Sequence, residues 1–138
     1  MLLTIGGFLT MLFSCAKLPP LERKDLVGEW KSDMNEVLIL YADSTFVAKN
    51  IAMSTNTAKL VFGDASEMRI GGKGTWRIYK NNIDLLFICF VRKSETIEKR
   101  QGLPLSVKGS GLFENRLPWK IISDIGDVDV SSTFKKVE

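Results

Sequence analysis

The chain predicts an all-β fold: an antiparallel up-and-down barrel, or a barrel-like sandwich, of about eight strands after a short N-terminal helical turn. Three observations carry this. Short runs rich in Val, Ile, Phe and Trp recur along residues 21–138, spaced at about 8–12 residues by Gly, Asn, Asp and Ser. No run reads as a helix long enough to cover a parallel sheet. The length of 138 residues and the apolar fraction of 45% suit one folded domain with a real core.

The elements follow in order. "LERKDL" at 21–26 makes a helical turn, Gly28 stops it, and the first strand begins near Trp30. "EVLILYADSTFVAKN" reads as a hairpin, with strands at 37–41 and 45–49 around Ala42, Asp43 and Ser44. Aspartate favours such a turn because its side chain bonds the backbone two residues on. "STNTAK" reads as polar loop and "KLVFGDASE" as a short strand or irregular excursion. In "MRIGGKGTWRIY", Trp76 and Ile78 take one side of a strand, and Thr75, Arg77 and Tyr79 the other. "KNN" forms the next turn, where Asn81 and Asn82 tolerate left-handed backbone.

"IDLLFICFVRK" is the most apolar stretch after residue 20. It reads as a strand because it is short, turn-bounded and rich in Ile, Phe and Val. Strict alternation puts Ile83, Leu85, Phe87, Cys89 and Val91 on one side and Leu86, Ile88 and Phe90 on the other, so both sides need cover. "RKSETIEKR" then reads as a solvated hairpin tip or loop. Further strands are expected at 105–108, 111–114, 118–123 and 131–137, with turns at Gly102, Gly109 and Gly126.

Residues 1–14, MLLTIGGFLTMLFS, are uncharged and almost wholly apolar or small. The run is short for a membrane span, which needs about 20 apolar residues, and suits the apolar region of a secretory signal. "LFSC" at 12–15 resembles the lipobox of bacterial lipoprotein signals, with Leu12 at −3, Ser14 at −1 and Cys15 as first mature residue. That resemblance implies a diacylglycerol on Cys15, cleavage before it, and a lipid anchor. The pattern departs in one respect: no Lys or Arg precedes Lys17. An ordinary cleaved signal, an uncleaved anchor and a buried core segment are the rival readings. Residues 15–20 then form a tether, made stiff by Pro19 and Pro20. The organisation is signal 1–14, lipidated tether 15–20 and β-domain 21–138.

Composition narrows the function classes. The net charge of +3 is mild and the basic residues are dispersed, which argues against nucleic acid as a partner. With no histidine, the commonest general base and metal ligand are missing. The two cysteines, 74 residues apart, form neither a disulfide framework nor zinc-site spacing. No nucleophile-elbow serine and no evident glycosidase carboxylate pair occurs. A non-enzymatic protein without cofactor or metal is expected, with hydrolase chemistry a minor alternative.

Three stretches, "LVGEW" at 26–30, "LILYADSTF" at 38–46 and "GKGTWRI" at 72–78, together resemble small bacterial lipoproteins with a lipocalin-like β-barrel domain. "GDVDVSSTFKKVE" resembles the closing strand of an uncharacterised subset. Ser44 stands where the turn usually has glycine, and Val128 where the subset has proline. The resemblance implies a lipid-anchored protein of the bacterial cell envelope, at the outer membrane and facing the periplasm or the surface. Its implied role is non-catalytic binding of a small apolar ligand in the barrel or of an envelope protein by the rim. The alternative is a protein inhibitor or envelope-assembly module with a filled barrel. A ligand barrel needs a cavity of about 300 Å³ or more.

Gly28, Trp30, Gly74 and Trp76 are the candidate site residues besides Cys15. A tryptophan two residues after a glycine lines a pocket or plugs the barrel base, and the plug is the commoner use. "GGKG" at 71–74 runs into a strand, not a helix N-terminus, so a bulge is favoured over a phosphate loop. Asp124, Asp127 and Asp129 resemble a calcium cluster but lack a further acidic residue at EF-hand spacing, which favours turn chemistry. Cys89, in an apolar strand with no histidine to activate it, reads as a buried inert thiol.

Overall fold

A computed structural model describes residues 18–65, 69–93, 95–123 and 131–138. Helix α1 (Arg23–Leu26) leads into β1 (Gly28–Ser32), β2 (Val37–Leu40) and β3 (Thr45–Ala52). Helix α2 (Thr55–Phe62) follows, then β4 (Arg69–Tyr79), β5 (Asn82–Arg92), β6 (Glu95–Ser110), β7 (Arg116–Ser123) and β8 (Ser132–Lys136). Each strand pairs antiparallel with the next, and β8 pairs with β1, so the sheet closes into an eight-stranded up-and-down barrel. The all-β barrel expected from the sequence is the fold observed.

Burial follows the alternation. Leu38 and Leu40, Phe46 and Ala48, Ile83, Leu85 and Phe87, and Leu103, Leu105 and Val107 are all buried, while most intervening residues face outward. Trp76 is buried, Ile78 half-buried, and Thr75, Arg77 and Tyr79 exposed, as the alternation requires. Eight strands make an interior just wide enough for side chains to fill.

Several elements differ from the expectation. Residues 55–62 form a helix instead of loop and strand. The Ser54 hydroxyl caps it by accepting the Thr57 N–H at 3.1 Å, and Gly63 ends it in left-handed backbone at φ 81°. The Lys99 ammonium donates to the Leu60 and Val61 carbonyls at 3.0 and 2.9 Å. Most of "RKSETIEKR" is strand, because β5 runs to Arg92 and β6 begins at Glu95. Gly102 and Gly109 lie inside β6, and the expected strand at 111–114 is the β6–β7 turn. Lys80, not Asn81 or Asn82, takes the left-handed position at φ 56°. Gly126 lies outside the described residues.

The two sides of β5 are not both covered. Leu86 and Ile88 are exposed. The pairings with β4 and β6 both shift register between Phe87 and Cys89, which breaks the alternation there. Phe90 therefore turns inward and stacks on Phe87 at 4.5 Å, and Val91 goes out. The bulge exchanges the expected positions of Phe90 and Val91.

Candidate functional site

The α1 end of the barrel gathers the predicted glycine and tryptophan residues. Trp30 leaves α1 on β1, and its indole N–H donates to the Leu26 carbonyl at 2.8 Å. Trp76, on β4, donates to the Tyr41 carbonyl at 2.9 Å beside the β2–β3 turn. Both rings are buried. The Arg23 guanidinium stacks over Trp76 at 4.4 Å and donates to the Ala42 carbonyl and the Ser44 hydroxyl, each at 3.0 Å. Lys136 lies 5.9 Å from the Trp30 ring and donates to the Asp25 carbonyl. Both indole donors are thus bonded to backbone, and α1 is tied across this end by cation–π contacts.

The two glycines differ. A Cβ on Gly74 would fall on the Leu86 carbonyl oxygen, so β4 and β5 approach here only without a side chain. Gly28 has φ 142°, and its missing Cβ leaves room for Lys136. Gly71, Gly72 and Gly74 all lie within β4, where the register shifts between Lys73 and Gly74. They open no helix.

At the opposite end, Glu36 is fully buried. Its carboxylate accepts the Ser32 hydroxyl at 2.9 Å and the Ala52 N–H at 3.0 Å. Phe62 of α2 packs edge-on against Phe90 at 5.5 Å, with Arg92 over its other side at 4.5 Å. Arg92 in turn donates to Asp64 at 2.6 Å.

Between the two ends the described side chains leave little space. The interior cavity, lined by residues that include Leu38, Ile51, Phe87 and Phe134, measures about 10 Å³. That is room for about one water. Among the described residues no buried side-chain polar atom lacks a partner, and no three acidic or thiol groups cluster to hold a metal ion.

The larger concavities are external. The most apolar, about 660 Å³, crosses the outer side of β3, β4 and β5 at the end away from α1. Val47, Gly71, Cys89 and Val91 contribute its apolar floor, and Lys49, Arg69, Lys73 and Lys93 its rim. The bare backbone of Gly71 deepens it, while Gly72, on the inner side, leaves room for the Phe87 ring. Arg69 is held by the Met34 and Asn50 carbonyls at 3.1 Å, whereas Lys49 and Lys73 make no ion pair among the described residues. Cys89 is a free, buried thiol. Sequence reasoning missed this groove because its residues come from β3, β4 and β5, with Thr96 from β6, and align only through the barrel register. Val47 and Lys49 two residues apart, and Gly71 between Arg69 and Lys73, were its visible traces.

Cys15 and the aspartates 124, 127 and 129 lie outside the described residues. No described helix is long and apolar enough to cross a membrane. No protein-family model, curated protein or solved structure matches the chain.

Proposed function

We propose that this is a lipid-anchored, lipocalin-like protein of the bacterial cell envelope that acts as a protein-binding module with a filled barrel. The observation that carries the reading is the interior of about 10 Å³, far below the roughly 300 Å³ that a small-molecule site requires. A ligand carried inside the described barrel would have to displace Phe87, Phe90 or Phe134, all of them fully buried. Binding is left to the outside. In this reading Trp30 and Trp76 plug the α1 end, and the β3–β5 groove receives the partner. The lipobox-like "LFSC" and the tether at 15–20 support the anchor at Cys15.

The groove suits an extended acidic segment that carries small apolar side chains. Its floor is apolar, and its rim sets four cationic side chains around it. Rim lysines raise association rates and make binding salt-dependent. Crosslinking and pull-down of the full chain from intact envelopes, beside a Lys49→Glu/Lys73→Glu variant, test this. The variant is expected to recover about ten-fold less partner. Equal recovery by both forms rejects the groove, and ready binding of fatty acid by the intact barrel rejects the filled-barrel reading. Labelled palmitate tests the anchor: incorporation that depends on Cys15 is expected, and none after Cys15→Ala.

A further inference from the structure

The β6–β7 connection lies at the α1 end, opposite the groove. It is a tight turn closed by the Glu114 N–H donating to the Gly111 carbonyl at 3.1 Å. Gly111 and Glu114 both take positive φ, at 91° and 53°. The two central residues are Leu112 and Phe113, 91% and 79% exposed. Turn centres ordinarily carry Asn, Asp, Gly or Ser, whose side chains suit water and the turn backbone. Here two large apolar side chains stand side by side in the chain, and Leu117, on the β7 strand that follows, is 57% exposed. Adjacent exposed apolar groups on a stiff tip mark a contact surface.

The same wall receives the N-terminal segment. A Cβ placed on Gly109 would lie 2.8 Å from Leu18 Cδ1, and 2.5 and 2.9 Å from the Glu114 and Arg116 carbonyl oxygens. Leu18, Pro19 and Pro20 line a depression there with Lys108, Glu114 and Trp119. The chain therefore joins the barrel at the foot of this hairpin. Cys15 precedes Leu18 by three residues, a reach of about 10 Å at full extension. The uncharged, apolar residues 1–14 come directly before it. A bilayer engaged by a lipid on Cys15 would be brought to this side of the barrel.

We infer that the β6–β7 turn is a second membrane contact, with Leu112 and Phe113 inserted into the interface of the bilayer that holds the N-terminal segment. This rests on the tether proposed above. A single attachment point leaves a domain free to turn about it, whereas a second apolar contact on the same side holds it in one orientation. Arg116, whose Cδ lies 3.6 Å from the Cβ position of Gly111, stands at the shoulder of the turn, at the level of the headgroups. In this orientation α1 and the plugged end face the membrane. The basic groove, with Lys49, Arg69 and Lys93 at the far end, points away from it.

The test uses the full chain in bacterial cells whose phospholipids carry labelled phosphate. A photoreactive benzoyl-phenylalanine replaces Phe113 in one strain. In another it replaces Leu60, which is 67% exposed on α2 at the opposite end. After irradiation, lipid label on the protein is expected to be about ten-fold greater from position 113 than from position 60. Equal labelling, or crosslinks from 113 mainly to protein, overturns the inference. Fractionation separates the two proposals: a chain found in the soluble fraction rejects the tether and the contact with it. A membrane-bound chain with no lipid label at 113 rejects the contact alone.

Discussion

At Gly74 and at Glu36 a single substitution reaches the backbone of a neighbouring strand. Gly74→Ala drives a Cβ into the Leu86 carbonyl oxygen, which is backbone and cannot swing away. Urea denaturation is expected to show a loss of about 3 kcal/mol. Glu36→Ala removes the acceptor for both Ser32 and Ala52 at a fully buried place, with an expected loss of about 2–3 kcal/mol in the same assay. Glu36→Gln keeps one acceptor and should lose less. Asp43 offers a test by titration. The Thr45 hydroxyl and backbone N–H hold its carboxylate below the ordinary range. A depressed carboxylate stabilises the fold above its unfolded pKa, and that share is lost as pH falls through the lower folded value. In Thr45→Val, NMR titration should find the Asp43 pKa moved up toward its ordinary value.

Helix α2 shows where local pattern and tertiary structure part. Thr55, Asn56, Thr57, Val61 and Phe62 are weak helix formers, so composition pointed to loop and strand. What makes the helix is a cap at each end, together with burial of Ala58 and Val61 three residues apart and the Lys99 bonds to its last carbonyls. Ser54 and Gly63 carry cap chemistry that the loop reading passed over, and Lys99 comes from β6 and has no local signature. Gly63→Ala meets no neighbour, yet it must hold φ 81°. An expected loss of about 1 kcal/mol, read by chemical denaturation, separates backbone strain from packing. Strand β5 makes the related point. Its apolar content was plain in "IDLLFICFV", but the bulge that turns Phe90 inward and Val91 outward depends on register with both neighbours.

The barrel as a whole is governed by filling. The Phe46, Phe87 and Phe90 rings pack in sequence, edge-on at 4.8 Å and then stacked at 4.5 Å, across the interior. Phe87→Ala removes the central ring, and a loss of about 3–5 kcal/mol is expected. If the variant stays folded, the void should bind a small apolar probe such as benzene, while the native barrel binds none inside; calorimetry distinguishes the two. Outside the filled interior, the groove and the Leu112–Phe113 tip occupy opposite ends of the barrel.

The sequence by itself determined the all-β class, the number of strands to within about one, the alternation of Thr75–Tyr79 around Trp76, and the placing of Trp30 and Trp76 two residues after glycines. Those are local properties, written in alternation two residues apart and in turn residues between runs. Only the tertiary structure decided that β8 closes on β1, that β6 is one strand of 16 residues through Gly102 and Gly109, and that the interior is full. It also brought Lys49, Lys73 and Val91 to one groove, and Leu18 to the foot of the Leu112–Phe113 turn. The physical reason is register: alternation says which side of its own strand a residue takes. Only pairing between strands, with its bulges, says which residues from distant parts of the chain meet.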